Sequence, residues 1–345
     1  MPLSEYRAEP LSIMAAWRAY RAVWHRRRLL VRALRKCLEL KRVEVRARRV
    51  LADDILAFSC VRNEILRLPH FLDHHRRLGV RHFFMVDNGS EDGTREYLAK
   101  QPDVSLWTTK ASYRMSRFGM DWLNYLLARY GSGHWCLTLD ADELFAPPFL
   151  GARNLSVLTG WLDEKRRKSY GAMMLELYPD GPVGEGSFAS GDDPLAALPN
   201  FDPEGYWAHV QPRWAALWVQ GGPRARAFFE ANPERAPTLN KTPFVRWHWR
   251  YAYVNSTHIL LPRRLNDRWE DGHALILHTK FLPDAPERAA REKDRGEHFA
   301  ISEKYAEYYD ALADGPSLRH GGSTRFEGWE QAEELGLMSR GSWGG

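Results

Sequence analysis

Short apolar runs alternate with segments of helical periodicity over the first part of the chain. The runs at residues 55–61, 82–86, 104–107 and 134–139 are bounded by turn-forming residues, as buried strands are. The segments between them place apolar residues three and four positions apart, which predicts helices. Because strands and helices alternate, we expect a parallel sheet with right-handed crossovers, and therefore an α/β fold.

End signals delimit the three helices of this region. The first begins near Leu68 and ends at Gly79. The second covers residues 94–100, and the third covers residues 118–130, after which Gly131 ends it. The expected order is therefore strand, helix, strand, helix, strand, helix, strand.

The second half of the chain has a less regular pattern. Apolar runs at residues 171–178 and 274–281 predict two further strands, and residues 286–312 predict an exposed helix rich in charged side chains. Residues 179–213 are rich in Pro, Gly, Asp and Ser, which predicts a long loop over the functional face of the sheet. Apolar residues in the last thirty positions predict a tail that packs on the body.

Residues 12–50 are predicted to be helical and carry a concentrated positive charge. The first 50 residues contain 14 Lys and Arg but 4 Asp and Glu, a net charge of +10, whereas the whole chain has +5 and the remainder −5. An acidic remainder argues against a nucleic-acid-binding body. One helical stripe of this segment is apolar, with Trp17, Tyr20, Trp24, Val31, Leu34 and Leu38.

Three interpretations of this basic helix stay open. Its apolar stripe could pack on the body or on a partner protein. It could instead lie on an anionic membrane surface, because arginines flank a stripe that contains tryptophan. Contact with nucleic acid is the third interpretation.

Length and composition limit the class of protein. A chain of 345 residues can form one large domain or two small ones, with an ample core. Its three cysteines have neither a disulfide framework nor a zinc-binding spacing, which indicates a reducing compartment. No window of 18 apolar residues and no signal-peptide pattern occurs. We expect a cytoplasmic protein, with peripheral attachment to the inner membrane face as an option.

Two carboxylates end the strand at residues 134–139. Asp140 and Asp142 are separated by one residue and fall where open α/β folds bind ligands, at the carboxyl end of a strand. Two acids at this spacing repel each other unless a cation lies between them. Their hard oxygen atoms suit Mg²⁺ or Mn²⁺. A solvated turn is the alternative for so short a motif.

Three strand ends in a fixed order carry a resemblance to a known family. The first strand ends in Arg62-Asn63-Glu64, the second in Val86-Asp87-Asn88-Gly89-Ser90-x-Asp92-Gly93-Thr94, and the fourth in Asp140-x-Asp142. This ordered set resembles family 2 glycosyltransferases, and most closely the bacterial family 2-like proteins related to the family 92 enzymes. Four later segments extend the resemblance over residues 55–310: Gly221-Gly222-Pro223-Arg224, Asn240-Lys241-Thr242-Pro243-Phe244-Val245, Ser256-Thr257-His258 and Leu277-His278-Thr279-Lys280-Phe281.

The resemblance implies a GT-A-type, Rossmann-like, mostly parallel sheet flanked by helices. It divides the chain into a basic helical segment at 1–50, a donor-binding half at 51–150, an acceptor-binding half at 151–285 and a helical extension at 286–345. Two features depart from the family pattern. Asn88 follows Asp87 where many members have a second acid, and the Gln-x-x-Arg-Trp signature of processive synthases is absent. Processive synthesis is therefore disfavoured.

The resemblance, together with residue chemistry, suggests roles for individual side chains. Nucleotide-binding candidates are Asn63, Glu64, Asp87, Asp140 and Lys280. Metal-ligand candidates are Asp140, Asp142 and His278, with His258 as a further option. Acceptor or phosphate candidates are Arg224 and Lys241, and general-base candidates are Glu176, Asp180 and Asp271. Each also has an ordinary alternative, such as a turn cap for Asp87, a hydrogen-bonded polar group for the histidines and a surface charge for Arg224 and Lys241.

We therefore expect a metal-dependent, inverting glycosyltransferase. It would move one sugar from a nucleotide-diphosphate donor to a surface polysaccharide or a lipid-linked acceptor, without a nucleic-acid partner. A GT-A-fold nucleotidyltransferase is a second hypothesis, although the first strand is not followed by the Gly-rich loop that such enzymes generally have. A non-catalytic scaffold on the membrane surface is the third.

Overall fold

A computed structural model describes residues 13–267, 269–295 and 306–344. Its helices are α1 Ile13–Lys36, α2 Leu68–Arg77, α3 Thr94–Lys100, α4 Met120–Leu126, α5 Leu155–Glu164, α6 Pro194–Ala197, α7 Gly222–Phe228, α8 Ala285–Arg295, α9 Ala306–Ala313 and α10 Trp329–Glu334. Its strands are β1 Lys41–Glu44, β2 Ile55–Val61, β3 Val80–Asp87, β4 Val104–Thr108, β5 Trp135–Thr138, β6 Glu143–Ala146, β7 Ser169–Glu176, β8 Asn200–Phe201, β9 Tyr206–Gln211, β10 Ala216–Gly221, β11 Asn240–Arg246, β12 Ala252–Tyr253, β13 Leu260–Leu261, β14 Ala274–His278 and β15 Thr324–Arg325.

A nine-stranded mixed sheet forms the centre of the molecule. Its order is β1-β4-β3-β2-β5-β11-β7-β14-β6. Six strands (β4, β3, β2, β5, β7 and β14) point the same way, and β1, β11 and β6 run against them. The alternating strands and helices expected between residues 55 and 139 are confirmed, as is the α/β class with a mostly parallel sheet.

Strand β11 connects the two halves of the chain within this sheet. It pairs antiparallel with β5 on one side and with β7 on the other. Strands from residues 51–150 and from residues 151–285 therefore share one continuous sheet and one core.

Side chains of successive residues in β3 reach the two opposite faces of the sheet, as the pleat requires. Phe83 packs towards α2, where its ring lies 6.5 Å from that of Phe71. Phe84 stacks on Phe58 at 4.8 Å and belongs to the cluster that includes Trp122 of α4. Both faces of the central strands are thus covered, and most of their residues are buried.

The basic N-terminal segment differs from its prediction. The helix ends at Lys36, and β1 then pairs with the edge strand β4, with Lys41 opposite Thr108. Residue 12 lies outside the described residues. The prediction of helix up to residue 50 is wrong, because β4 has an open edge whose backbone groups need a partner.

The remaining predictions were partly correct. The stretch 179–213 contains α6, β8 and β9 rather than one long loop. The helix predicted at 286–312 is represented by α8 and α9, and Ala285 and Ala289 of α8 are buried, so this helix is not simply exposed. Residues 296–305 lie outside the described part. The C-terminal tail packs as expected, with Leu337, Met338 and Trp343 buried.

Two further findings concern the compartment and the membrane. All three cysteines are free thiols. Among the described residues, no helix combines the length and the apolar character needed to cross a bilayer.

Candidate functional site

A cavity of about 390 Å³ opens where the parallel strands end. The carboxyl ends of β2, β5 and β14 lie at the same edge of the sheet, so Val61, Leu139 and His278 all reach its wall. Met120 and Leu123 of α4 form an apolar side of the cavity. Its ionisable lining residues are Arg62, Glu64, Asp140, Asp142, Glu143, Arg224, Lys241, His258, His278, Lys280, Arg288 and Glu292.

The turn that holds Asp142 is fixed by the strand beside it. The chain leaves β5 after Thr138, turns through Asp140 and Asp142, and returns as β6. The backbone amide and the hydroxyl of Thr279 both donate to the carbonyl oxygen of Asp142, at 2.8 and 3.0 Å. The position of Asp142 is thus tied to the end of β14.

Sheet register brings three polar side chains together below this turn. His278 of β14 is paired with Glu176 on β7 and with Glu143 on β6. Side chains at paired positions of neighbouring strands share a face of the sheet. The three residues are buried although two are acids, so their charges must be balanced inside the site.

His278 bridges Asp142 and Glu176. Its Nε2 lies 3.5 Å from Asp142 Oδ2, and its Nδ1 lies 3.3 Å from Glu176 Oε1. Burial lowers the pKa of His278, but the two carboxylates outweigh burial and raise that pKa above its ordinary value. Burial likewise opposes ionisation of Asp142, yet His278 holds the pKa of that carboxyl well below its ordinary value. The pair is therefore ionic, and a divalent ion held by His278 would take the place of the proton on Nε2.

This arrangement has the donor chemistry of a cation site. Asp142, Glu143 and His278 each offer one ligand atom, and these atoms lie within 4.8 Å of one another. A carboxylate that accepts from the far nitrogen of a histidine commonly orients that histidine toward a metal, as Glu176 does here. Two oxygens and one nitrogen suit a divalent ion such as Mn²⁺. The residues present therefore fit a divalent cation.

Lys241 balances the other acids of the turn. Its Nζ lies 3.2 Å from Asp140 Oδ2 and contacts Glu143 Oε1. Burial lowers the pKa of Lys241, but Glu143 and Asp140 raise it overall, so the ammonium stays charged. Lys241 lines the cavity, although its ammonium group is already paired with Glu143 and with Asp140, the acid that the sequence assigned to metal and nucleotide.

Four more cations line the same cavity, and Arg62 is one of them. Arg224 is buried and its guanidinium contacts Glu176. Burial and the charge of Arg224 lower the pKa of Lys280 to about 8. Arg288 of α8 completes the set. The cavity thus has a cationic side next to Asp142, which suits a ligand that carries phosphate.

Sequence reasoning missed the contribution of α8. Arg288 forms two hydrogen bonds of 2.6 and 2.8 Å to Glu64, and Arg67 forms two of 2.6 and 2.8 Å to Asp284. These paired bonds attach α8 to the segment that follows β2, where Glu64 lines the cavity as expected. Residues 64 and 288 are too far apart in the chain for any local pattern to reveal the contact.

Asn63 and Asp87 are engaged in a loop beside the cavity. The side chain of Asn63 accepts from Glu91 N at 2.8 Å. Asp87 is fully buried, where it accepts from Ser90 N at 3.1 Å and from Thr108 Oγ1 at 2.9 Å. Neither residue is part of the cavity lining, whereas Asn88 is. Asp87 thus has the turn-capping position that was its alternative interpretation.

The three general-base candidates lie away from the cavity lumen. Glu176 is fully buried behind His278, and this position favours orienting His278 over taking a proton from a substrate. Asp180 accepts from Arg325 at 3.1 Å and from Asn200 at 3.0 Å. Asp271 accepts from Ser342 in the C-terminal tail. Neither Asp180 nor Asp271 lines the cavity.

His258 lines the cavity but lies outside the Asp142 cluster. Its Nδ1 is hydrogen-bonded to the carbonyl oxygen of Asn240, which requires a proton on that nitrogen. Burial and the charge of Lys241 lower the pKa of His258 to about 3, so the ring is neutral. His258 was expected as a further metal ligand, but it does not belong to the group formed by Asp142, Glu143 and His278.

Comparison with known proteins identifies no family. No protein-family model matches the sequence, and no curated protein matches it.

Proposed function

We propose that this protein is a metal-dependent glycosyltransferase of the GT-A type, similar to the bacterial family 2-like enzymes. It would transfer a sugar from a nucleotide-diphosphate donor to a saccharide or a lipid-linked acceptor, with inversion at the anomeric carbon, in the cytoplasm. The observation that carries the proposal is the contact between Asp142 and His278, supported from behind by Glu176, at the ligand-binding edge of a mostly parallel sheet.

The charges in the cavity suggest a role for each side chain. Asp142 and His278, with an oxygen of Glu143, would hold a divalent cation, which when bound supplies positive charge to the departing diphosphate. Lys280 and Arg288 would bind phosphate oxygens on the cationic side. In the transfer, the acceptor oxygen would bond to the anomeric carbon while the bond from that carbon to the diphosphate breaks. The proton of the acceptor hydroxyl would pass to a carboxylate of the cavity wall, of which Asp140 is the most exposed. The apolar wall of Met120 and Leu123 excludes water from competing with the acceptor.

A thermal-shift panel tests the proposal. Nucleoside diphosphates and nucleotide sugars of each base are added with and without Mn²⁺ to the wild type, to Asp142→Asn and to Asp271→Asn. A ligand that binds the native state raises the unfolding midpoint. We expect a Mn²⁺-dependent rise with one nucleotide class in the wild type and in Asp271→Asn, which removes the same charge outside the cavity. The rise should disappear in Asp142→Asn.

Two results would replace the proposal with another function. Release of pyrophosphate from a nucleoside triphosphate and a sugar phosphate would identify a nucleotidyltransferase. A non-catalytic scaffold is the better description if no nucleotide raises the midpoint with or without Mn²⁺ and Asp142→Asn fully replaces the wild-type protein in cells.

A further inference from the structure

Helix α1 has two faces of opposite character. Ala22, Leu29 and Ala33 are buried. The opposite side, here termed the outer face, carries large apolar side chains that are about half exposed or more: Trp17, Tyr20, Trp24, Val31 and Leu34. The large apolar side chains of the outer face contact solvent, whereas an amphipathic helix of a globular protein usually directs such side chains to the core. The outer face is therefore unpartnered within the described chain.

The contacts of the inner face fix the orientation of α1. Ala22 and Leu29 pack with Ala252 of β12 and Leu261 of β13. Arg32 donates to the buried carboxylate of Asp121 on α4 at 2.6 Å. Because α1 is held on two sides, its outer face cannot turn inward without breaking these contacts.

Strong positive charge surrounds the outer face. Helix α1 contains eight Lys and Arg and no acidic residue. A groove along one flank is lined by Arg18, Arg21, Arg28 and Arg213 together with Trp17 and Trp24, and no carboxylate from the described part of the chain lines it. Tryptophan beside arginine is the combination that suits the boundary between lipid headgroups and acyl chains.

We propose that the outer face of α1 docks on an anionic phospholipid surface. The tryptophan and tyrosine rings would enter the headgroup boundary, and the arginines of the groove would bind lipid phosphates. A second copy of the chain is a poorer occupant, because the arginines around the outer faces of the two copies would repel each other. A nucleic acid would satisfy the charge but would leave Val31 and Leu34 exposed.

The same helix adjoins the wall of the candidate site. It packs against α4, whose Met120 and Leu123 line the cavity, and against β12, which leads into the lining residues Ser256 and Thr257. A membrane-docked α1 would hold this wall close to the lipid surface. If the proposed glycosyl transfer is correct, a lipid-linked acceptor is the class of substrate that this geometry favours, and this clause rests on the proposed function.

Vesicle cosedimentation of the full chain tests the docking. Vesicles of phosphatidylcholine alone are compared with vesicles that contain about 30 mol% phosphatidylglycerol. We expect binding to the anionic vesicles only, weaker in about 0.5 M than in about 0.1 M KCl. Arg21→Ser with Arg28→Ser should weaken binding about 30-fold, and Trp17→Ser with Trp24→Ser about tenfold or more.

Matched variants on other surfaces serve as controls. Arg81→Ser with Lys100→Ser removes two exposed cations outside α1, and Trp207→Ser removes another partly exposed tryptophan. Both should bind as the wild type does, and all variants should keep the wild-type unfolding midpoint.

Several outcomes would overturn the docking proposal. These are equal binding to both kinds of vesicle, wild-type binding by the tryptophan variant, self-association that the tryptophan variant abolishes, and binding of duplex DNA that displaces the vesicles. The assay contains neither nucleotide nor divalent cation, and Asp142→Asn should bind vesicles normally. Its failure would therefore leave the proposed function untouched.

Discussion

The ammonium group of Lys241 lies 3.2 Å from the carboxylate of Asp140 and also contacts Glu143. Lys241→Met removes this internal cation and leaves the buried Glu143 without its partner. We expect the unfolding free energy to fall by about 3 kcal/mol, because an unpaired buried charge is costly. Mn²⁺ should raise the unfolding free energy of Lys241→Met by more than it raises that of the wild type, since a divalent ion can replace the missing charge.

Chemical denaturation with and without Mn²⁺ measures both effects. Lys110→Met, which removes an exposed lysine outside the site, is the matched control and should behave as the wild type. If Lys241→Met is as stable as the wild type, or gains no extra stability from Mn²⁺, Lys241 does not balance the charges of Asp140 and Glu143.

Glu176→Gln should weaken Mn²⁺ binding without emptying the site. The variant keeps the shape of the side chain but removes the charge that orients His278, and loss of such a carboxylate typically lowers metal affinity 10–100-fold. Calorimetric titration with Mn²⁺ measures the change. Asp202→Asn is the control, because Asp202 is also a buried acid, paired with Arg226 at 3.0 Å outside the cavity. Equal Mn²⁺ affinity in Glu176→Gln and the wild type would exclude the orienting role.

The bond between Glu64 and Arg288 should stabilise the attachment of α8. A double-mutant cycle with Glu64→Gln and Arg288→Met should give a coupling energy above about 1 kcal/mol, because both bonds are charge-assisted and partly buried. The exposed pair Glu287 and Arg291 on the same helix should give less than about 0.5 kcal/mol. Similar coupling in the two cycles would contradict this prediction.

Stability should fall as the pH drops from about 7 to about 4, in part through His273. Burial lowers the pKa of His273 to about 4 from an ordinary value of 6.5. Between these values the unfolded chain binds a proton that the folded chain does not, so acid favours unfolding, by up to about 3 kcal/mol for this group. Denaturation of His273→Gln across this range should show a shallower slope than the wild type. An unchanged slope would mean that His273 takes up its proton in the folded state.

The strands and the two acids Asp140 and Asp142 were predictable because their signals are local. Apolar runs identified β2, β3, β4 and β5, and the acids that end a run placed Asp140 and Asp142 at the ligand-binding edge. The same reasoning made Asp87 a nucleotide-binding candidate, but Asp87 does not line the cavity. Asp87 lies opposite Thr108 on the neighbouring strand β4, and its carboxylate accepts a hydrogen bond from that hydroxyl instead.

Contacts between distant parts of the chain could not be predicted in the same way. The pairs of Lys241 with Glu143 and of Arg288 with Glu64 join residues that no periodicity relates. Periodicity also found the apolar stripe of α1 but not its direction. The buried side of α1 includes the small residues Ala22 and Ala33. Alanine contributes little to a hydrophobic pattern, so the sequence did not identify this side.

The place of β11 in the sheet affects how the nascent chain folds during translation. When the ribosome has released the first 150 residues, β5 has β2 on one side and an open edge on the other, because its second neighbour is encoded a hundred residues later. An open, apolar strand edge readily pairs with other chains. Nascent protein is thus exposed to aggregation until residue 246 emerges, and the two halves cannot be exchanged as independent units between related proteins.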